Sequence, residues 1–202
     1  MNRIEVYTIN TLLPERDREA VLRRIPLEYQ DKAQSAGNPV LARQELAVGW
    51  LLYRVLGFGP EDKLIRSPMG KPRIDGGRSH ISIAHSGDWV AIAVGDCEVG
   101  VDLEVPGPVQ WAAARRYFRP EELYTLQTAP PSLQSAAFLR MWTRLEAGLK
   151  LRGTGFSGME ESGVEAEHRN MLYWNHECAG FTLCCATWEP AAYALREMCW
   201  YD

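Results

Sequence analysis

Residues 81–104 read ISIAHSGDWVAIAVGDCEVGVDLE, a stretch whose apolar pattern indicates three consecutive strands. Apolar and polar residues alternate over 81–84, a Ser-Gly-Asp turn follows at 86–88, and a second apolar segment returns over 89–94. A period of two on either side of a glycine-containing turn is typical of a β-hairpin. The pattern resumes over 99–104, so a hairpin followed by a third strand is predicted.

Other segments show the patterns of further helices and strands. Asn38 and Pro39 precede an apolar pattern of helical period that stops before Gly57 and Gly59, which predicts a helix over 40–56. The remaining expectations are a strand at 3–9, a polar helical hairpin at 14–34, a loop at 60–80, helices at 110–117, 120–127 and 132–151, short strands and turns at 156–178, and strands at 180–188 and 191–200.

The composition is that of an ordinary globular protein, with 46% apolar and 24% charged residues among 202. A formal net charge of −4 argues against nucleic acid or an anionic membrane as the main partner. Residues 1–10 lack the apolar core of a signal peptide, and no apolar run reaches the roughly 20 residues of a membrane helix. Five cysteines without a CxxC pair indicate reduced thiols, so a soluble cytoplasmic protein is predicted.

Five side chains stand out as candidates for chemistry. Asp102 and Glu104 lie two residues apart on the third predicted strand, so both point to the same face. Two adjacent carboxylates repel each other unless a cation or a proton lies between them, although a solvated strand end explains this pair equally well. On the last predicted helix, Trp142, Glu146 and Lys150 follow at intervals of four residues and share one face.

The helical residues also have two interpretations. Glu146 and Lys150 can be an ordinary surface ion pair worth about 0.2–0.5 kcal/mol, with Trp142 in the core. If Glu146 instead lies opposite the strand, three carboxylates provide the hard oxygen ligands that suit Mg²⁺ and leave positions open for phosphate oxygens. A lysine one turn further along could then reach a bound phosphate or transfer a proton.

Four motifs occur in an order that resembles the 4′-phosphopantetheinyl transferases, in particular the larger, monomeric surfactin-synthetase-activating type. The motifs are Gly70-Lys71-Pro72, Ile81–Ser86, Val99–Glu104 and Trp142–Lys150. The resemblance covers about residues 40–155. It implies Mg²⁺-dependent transfer of 4′-phosphopantetheine from coenzyme A to a serine of an apo-carrier protein, with release of 3′,5′-ADP. Fatty-acid, polyketide and nonribosomal-peptide carriers all remain open as partners.

The resemblance also implies the fold class. It predicts an α+β protein of two pseudo-symmetric α/β lobes, residues 1–106 and 107–202, with the active site in the cleft between them. A faint internal repeat agrees with this arrangement, because each half has a helix before a hairpin. The matched segments are 40–56 then 81–94 in the first half, and 132–151 then 180–200 in the second.

Roles for individual residues follow from the resemblance. Asp102, Glu104 and Glu146 match the magnesium ligands, and Glu146 and Lys150 match the residues that assist the chemical step. The residues implied to bind coenzyme A are Arg43 and His85 at the 3′-phosphate, Lys71 and Pro72 at the nucleotide, Ser86 near the phosphates, and Lys150 at the pyrophosphate. Taken singly, several of these are as readily surface or ion-paired residues, and their order along the chain favours the binding roles.

Two positions depart from the family pattern. Ala84 stands where a serine is common, and Leu145 stands where a lysine usually precedes the helix glutamate. Leu145 can neither bind phosphate nor act as a base, so the base is expected to be Glu146, Lys150 or metal-bound water. Glu122 resembles an acidic residue that lies near the metal.

These departures keep a second function open, namely a non-catalytic coenzyme A-binding paralogue that acts as a regulator or an interaction module. A zinc site built from His168, His176, Cys178 and Cys184 is disfavoured because their spacing has no CxxC or HxxxH pair. A basic group, Arg115, Arg116 and Arg119, is either a contact for an acidic carrier or a solvated face.

Overall fold

The computed structural model describes residues 1–77, 79–156, 170–178 and 180–201. Its helices confirm the segments predicted from the apolar period of the sequence. They are α1 Glu15–Leu22, α2 Leu27–Ser35, α3 Pro39–Leu56, α4 Trp111–Tyr117, α5 Pro120–Thr128 and α6 Pro131–Arg152. Asn38 caps α3 by accepting a hydrogen bond from the Leu41 N–H at 2.8 Å, as expected for an asparagine before a proline at the first helical position.

The first sheet has four strands in the order β4-β5-β1-β9. These strands are β1 Asn2–Asn10, β4 His80–Ser86, β5 Trp89–Gly95 and β9 Ala191–Met198. The predicted hairpin is confirmed, since β4 and β5 pair antiparallel from His80 opposite Gly95 to Ser86 opposite Trp89. Strand β1 pairs antiparallel with β5 on one side and parallel with β9 on the other.

The second sheet has three antiparallel strands in the order β6-β8-β7. They are β6 Val99–Glu104, β7 Leu172–Glu177 and β8 Thr182–Thr187. Val101 and Leu103 of β6 pack with residues of the first sheet such as Val6, so the two sheets bury one face against each other. The Ser82 hydroxyl also accepts a hydrogen bond from the Val101 N–H at 2.9 Å and joins the sheets at their edges.

Helices cover the two outer faces. Helices α1, α2 and α3 pack on the first sheet through a core that includes Trp50, Leu51 and Ile92. Helix α6 packs on the second sheet, where Ala147 and Leu151 contact Cys184 and Ala186. The order of layers is therefore helices, sheet, sheet and helix, which holds β6 between the first sheet and α6.

Gly100 in β6 is the point of closest approach between that strand and α6. A Cβ atom at this position would overlap the carbonyl oxygen of Ala147 and the backbone nitrogen of Leu151. Only glycine therefore allows β6 to lie directly under the helix. This contact brings the strand that carries Asp102 and Glu104 against the helix that carries Glu146.

The mixed α+β class is observed, but two local predictions are wrong. The segment 180–200 is not a hairpin, because β8 pairs with β6 and β7 whereas β9 pairs with β1. Pro190, which has no backbone N–H to continue a ladder, separates the two strands. The predicted loop 60–80 contains a short two-stranded pairing of β2 Ile65–Arg66 with β3 Pro72–Arg73.

The sheets do not follow the predicted lobe boundary at residue 106. Strand β6 precedes this boundary yet lies in the second sheet, and β9 follows it yet completes the first sheet. The pseudo-symmetric division into residues 1–106 and 107–202 stays a prediction. Of the segment 156–178, residues 157–169 lie outside the described ranges.

Candidate active site

A cavity of about 510 Å³ lies where β4, β6, α3 and the end of α6 meet. Its size suits a small-molecule ligand. The lining residues are Tyr29, Lys32, Glu45, Val48, Arg66, Met69, Gly70, Lys71, Pro72, Ser82, Ile83, Ala84, His85, Asp102, Glu104, Glu146, Leu149, Lys150, Gly153, Gly155 and Phe156. Most of the residues that the motifs predicted are therefore brought to one cavity.

Three carboxylates share this cavity. Asp102 and Glu104 come from the same face of β6, and Glu146 reaches it from α6. Burial raises the pKa of Asp102 to about 7, and the Glu146 charge contributes to the rise. Burial likewise raises the pKa of Glu104 and of Glu146, and the charge of a neighbouring carboxylate adds to the rise in each case. Such a group holds its negative charge at a cost that a bound cation would relieve.

Lys150 supplies part of the neutralising charge. Its ammonium nitrogen lies 2.7 Å from Asp102 Oδ1, and the Asp102 side chain is only 4% exposed. The other oxygen, Asp102 Oδ2, is buried and has no hydrogen-bond partner among the residues that the structure describes. The Lys150 ammonium thus contacts one carboxylate oxygen in a site that holds three carboxylates. Other carboxylate oxygens are therefore available to bind a second cation.

The site fits a hard cation in its donor chemistry. Carboxylate oxygens are the ligands that Mg²⁺ prefers, and the unpartnered Asp102 Oδ2 is such an oxygen. Within the described ranges, no three His, Cys, Asp or Glu side chains form a compact ready-made metal cluster. Lys150 already stands beside Asp102, so a metal there would compete with this ammonium.

Trp142 lies beside two of the carboxylates. Its indole N–H lowers the pKa of Glu104 and of Glu146 against the larger effect of burial. The ring stacks on Phe138 at 5.8 Å and on Phe156 at 5.7 Å between centroids. Sequence reasoning placed Trp142 on the right helix face but did not assign it to the site. Its four-residue spacing from Glu146 was the available signal.

Lys71, Pro72 and His85 also line the cavity. The Lys71 ammonium donates to the Leu151 carbonyl at 2.5 Å, and burial lowers the pKa of this lysine. A cation at the last carbonyls of α6 interacts favourably with the helix end. His85 keeps some solvent exposure, while the surrounding protein and the Lys150 charge lower its pKa.

Two residues predicted to bind coenzyme A lie outside the cavity lining. The Arg43 guanidinium pairs with Asp88 Oδ1 at 2.7 Å, at the turn between β4 and β5. The Ser86 hydroxyl donates to Glu104 Oε2 at 2.6 Å. Their assignment to a phosphate stays a prediction, and their observed partners are protein side chains.

Two further residues noted in the sequence also lie away from the lining. Glu122 accepts hydrogen bonds from the Arg119 backbone N–H at 3.1 Å and from its guanidinium at 2.8 Å. Burial raises the pKa of Glu122, but the hydrogen bonds and the charge of Arg119 outweigh this effect and hold the pKa below its usual value. Leu145 packs against an apolar cluster that includes Phe118 and Phe138. The position where a lysine was expected therefore faces the α4–α5 side of the helix.

Sequence reasoning missed the charged residues contributed by α2, α3 and β2. Glu28 forms ion pairs with Lys32 at 2.6 Å and with Arg66 at 2.7 Å. Arg66 also donates a hydrogen bond to the Tyr29 hydroxyl at 3.3 Å. Glu45 lies near both cations and has a pKa raised by burial. The i,i+4 spacing of Glu28 and Lys32 marks an ion pair on α2, but no spacing rule indicates that Arg66 and Glu45 lie beside it, because only the tertiary fold brings the three elements together.

The disfavoured zinc arrangement has no support among the described residues. Cys184 is buried under α6, and His176 stacks on Trp174 at 5.8 Å. No zinc-type group that includes Cys178 is formed in the described part of the chain. His168 lies outside the described residues.

Fold and site together define an α+β protein whose cavity combines three carboxylates with several cations, an arrangement suited to a polyanionic ligand. Residues 98–184 match the sequence profile of the 4′-phosphopantetheinyl transferase superfamily. This match supports the family resemblance that the four motifs carry.

Three curated relatives are similar over part of the chain. The 4′-phosphopantetheinyl transferase psf-1 of Bacillus pumilus is 42% identical over 78 residues, which are 39% of this chain and 34% of that protein. The transferase gsp of Aneurinibacillus migulanus is 32% identical over 55% of this chain and 47% of its own length. The transferase AcpT of Salmonella typhi is 37% identical over 52% of this chain. The chain thus spans from 34% to 58% of the length of these relatives.

None of the helices in the described ranges combines the length and the apolar character that crossing a membrane requires.

Proposed function

We propose that this protein transfers the 4′-phosphopantetheine group of coenzyme A to a serine of an apo acyl or peptidyl carrier protein and releases 3′,5′-ADP. The observation that carries the proposal is one cavity in which Asp102, Glu104 and Glu146 lie with Lys150, Lys71 and His85. Carboxylates beside cations suit a metal–pyrophosphate complex rather than a covalent nucleophile. The three relatives, all named 4′-phosphopantetheinyl transferases, support the same reaction.

The three carboxylates are the residues that would hold Mg²⁺. When bound, the ion supplies charge neutralisation at the pyrophosphate. The unpartnered Asp102 Oδ2 and the raised pKa of each carboxylate support this assignment, because each indicates a group short of positive charge.

The remaining residues bind and orient the reactants in the proposed reaction. Lys150 contacts the pyrophosphate, and Lys71, Pro72 and His85 contact the nucleotide part of coenzyme A. The carrier serine oxygen forms a bond to the β-phosphorus, and the bond from that phosphorus to the oxygen bridging to 3′,5′-ADP breaks. Glu146 accepts the serine proton, a role consistent with a carboxyl whose pKa burial raises.

The packing of Leu145 bears on the alternative of a non-catalytic paralogue. Because Leu145 packs on the apolar cluster with Phe118 and Phe138, the leucine removes no charge from the described cavity wall. Glu146 and Lys150 are both present there. The catalytic function is therefore the one that the cavity supports.

The direct test is incubation of the purified protein with coenzyme A, Mg²⁺ and an apo-carrier of each type. We expect at least one carrier to gain the mass of phosphopantetheine, as measured by mass spectrometry of the intact carrier. A carrier whose modified serine is replaced by alanine is the control. Tight coenzyme A binding by calorimetry without modification of any carrier would instead establish the non-catalytic function.

Metal binding is expected to weaken as the pH falls through about 7. Only the ionised carboxylate binds the ion, and the pKa of Asp102 is raised to about 7, so protons compete with the metal below that pH. The apparent affinity should fall by up to roughly tenfold for each pH unit below the pKa if one proton is displaced. Electron paramagnetic resonance of free Mn²⁺, titrated at pH 8, 7 and 6, measures this.

Thermal unfolding of the metal-free protein at the same three pH values is the control, since unfolding would also lower the affinity. An affinity for Mn²⁺ that stays constant from pH 8 to pH 6 in a folded protein would contradict the expected competition.

A further inference from the structure

We propose that Ser86 is a positioning residue, which orients Glu104 for metal binding and makes no contact with coenzyme A. The inference rests on the proposed function, because it takes Glu104 as a metal ligand. It assigns Ser86 a different role from the phosphate contact that the family resemblance implied.

The first support is the direction of the hydrogen bonds at the Ser86 hydroxyl. Ser86 Oγ donates to Glu104 Oε2 at 2.6 Å and accepts from the Val105 N–H at 3.3 Å. A hydroxyl has a single proton to donate, so the proton given to Glu104 is not available to a phosphate oxygen. A hydrogen bond to a carboxylate is also among the stronger kinds in proteins.

The second support is the location of the residue. His85 and Glu104 line the cavity, whereas Ser86 does not. Ser86 lies on the same face of β4 as Ser82, whose hydroxyl accepts a hydrogen bond from Val101 of β6, so this face of the strand is turned to β6. Ser86 therefore acts on the cavity through the carboxylate that it contacts.

The third support is the way in which the turn that follows Ser86 is held. From α3, Gln44 Nε2 donates to the Gly87 carbonyl at 2.8 Å, and Arg43 pairs with Asp88 at 2.7 Å. Gly87 has a positive φ of 52°, and a Cβ there would lie 3.0 Å from a methyl group of Val105. Contacts from α3 and from the end of β6 thus hold the turn on two sides.

A hydroxyl on a held turn provides a preorganised support for a flexible glutamate. Glu104 has three rotatable side-chain bonds, and the hydrogen bond from Ser86 restricts the carboxylate before any metal arrives. Partners of this kind that contact a metal ligand typically change metal affinity by about 10–100-fold when removed. Ser86 should therefore affect metal affinity and leave coenzyme A affinity unchanged.

The test compares Ser86→Ala with the wild type in two measurements. Mn²⁺ is titrated in the presence of coenzyme A and followed by electron paramagnetic resonance, with the same titration without protein subtracted. We expect the dissociation constant for Mn²⁺ to rise about 10–100-fold in Ser86→Ala. At saturating Mg²⁺, the KM for coenzyme A should stay within about twofold of wild type because no ligand contact is lost.

Two controls keep the result interpretable. Ser86→Thr retains the hydroxyl and should retain Mn²⁺ affinity, whereas Ser35→Ala removes an exposed hydroxyl that donates to the Asp31 carbonyl and should change nothing. Circular dichroism melting identifies any variant that fails to fold. An unchanged Mn²⁺ affinity in Ser86→Ala would overturn the inference. If the KM for coenzyme A rose at the same time, the result would instead indicate a direct contact between Ser86 and coenzyme A.

Failure of the inference and failure of the proposed function give different results. If the wild type modifies a carrier and Ser86→Ala binds Mn²⁺ equally well, only the role of Ser86 is refuted. If no carrier is modified but Ser86→Ala weakens Mn²⁺ binding, the positioning role stands and the transferase function is refuted. A wild type that binds no Mn²⁺ refutes the role of Ser86 directly.

Discussion

Replacement of Glu146 by glutamine is expected to lower the rate of phosphopantetheine transfer by about 10²–10³-fold, the size associated with losing one electrostatic contact in an active site. The change keeps the shape of the side chain and removes one of the three negative charges that face Lys150. An amide is a weaker metal ligand than a carboxylate and accepts no proton from the carrier serine. Both proposed roles of Glu146 are therefore lost together.

The rate is measured as the increase in modified carrier at saturating coenzyme A. Glu19→Gln on α1 is the matched control, since Glu19 is 77% exposed and pairs with exposed Arg23 at 3.2 Å. A surface pair of this type contributes little, so the control should transfer at the wild-type rate. A Glu146→Gln variant with at least half of the wild-type rate would refute the catalytic assignment of Glu146.

The second large effect is expected on stability, from Gly100→Ala. The new methyl group would overlap the Ala147 carbonyl oxygen and the Leu151 nitrogen, which are backbone atoms of α6 that no side-chain rotation can move away. The helix must shift from β6, and overpacking of this kind costs about 2–3 kcal/mol. For a chain of this length, that loss should lower the melting temperature by about 5–10 °C.

Thermal unfolding followed by circular dichroism measures the loss, and Gly37→Ala is the control because a Cβ there meets no atom within 4 Å. The shift of α6 should also separate Glu146 from Asp102, so the metal affinity of the folded variant should fall. A Gly100→Ala protein with the melting temperature of wild type would contradict the close contact between β6 and α6.

The parts of the fold that depend on local sequence could be predicted. Apolar period and capping residues located α3 and α6, and alternation located β4, β5 and β6 within one or two residues. The same local rules placed Asp102 and Glu104 on one face of β6, because a strand has a period of two. They also placed Trp142, Glu146 and Lys150 on one face of α6.

The parts that depend on distant pairing could not be predicted. Alternation marks 191–198 as a strand but does not indicate that its partner is β1, almost the whole chain away. For the same reason, nothing in the sequence pairs Ser86 with Glu104 or brings Lys32 to the cavity. Such contacts are set by packing between elements, and one residue pattern is compatible with several strand partners.

The parallel pairing of β9 with β1 has a consequence for the order of folding. Strand β1 lies between β5 and β9, so its second edge stays open until residues 191–198 have been synthesised. An open edge exposes backbone groups that can pair with another chain, and pairing between distant segments is slow. Because β8 directly precedes β9 and pairs with β6, we expect the three carboxylates to come together only in the last stage of folding.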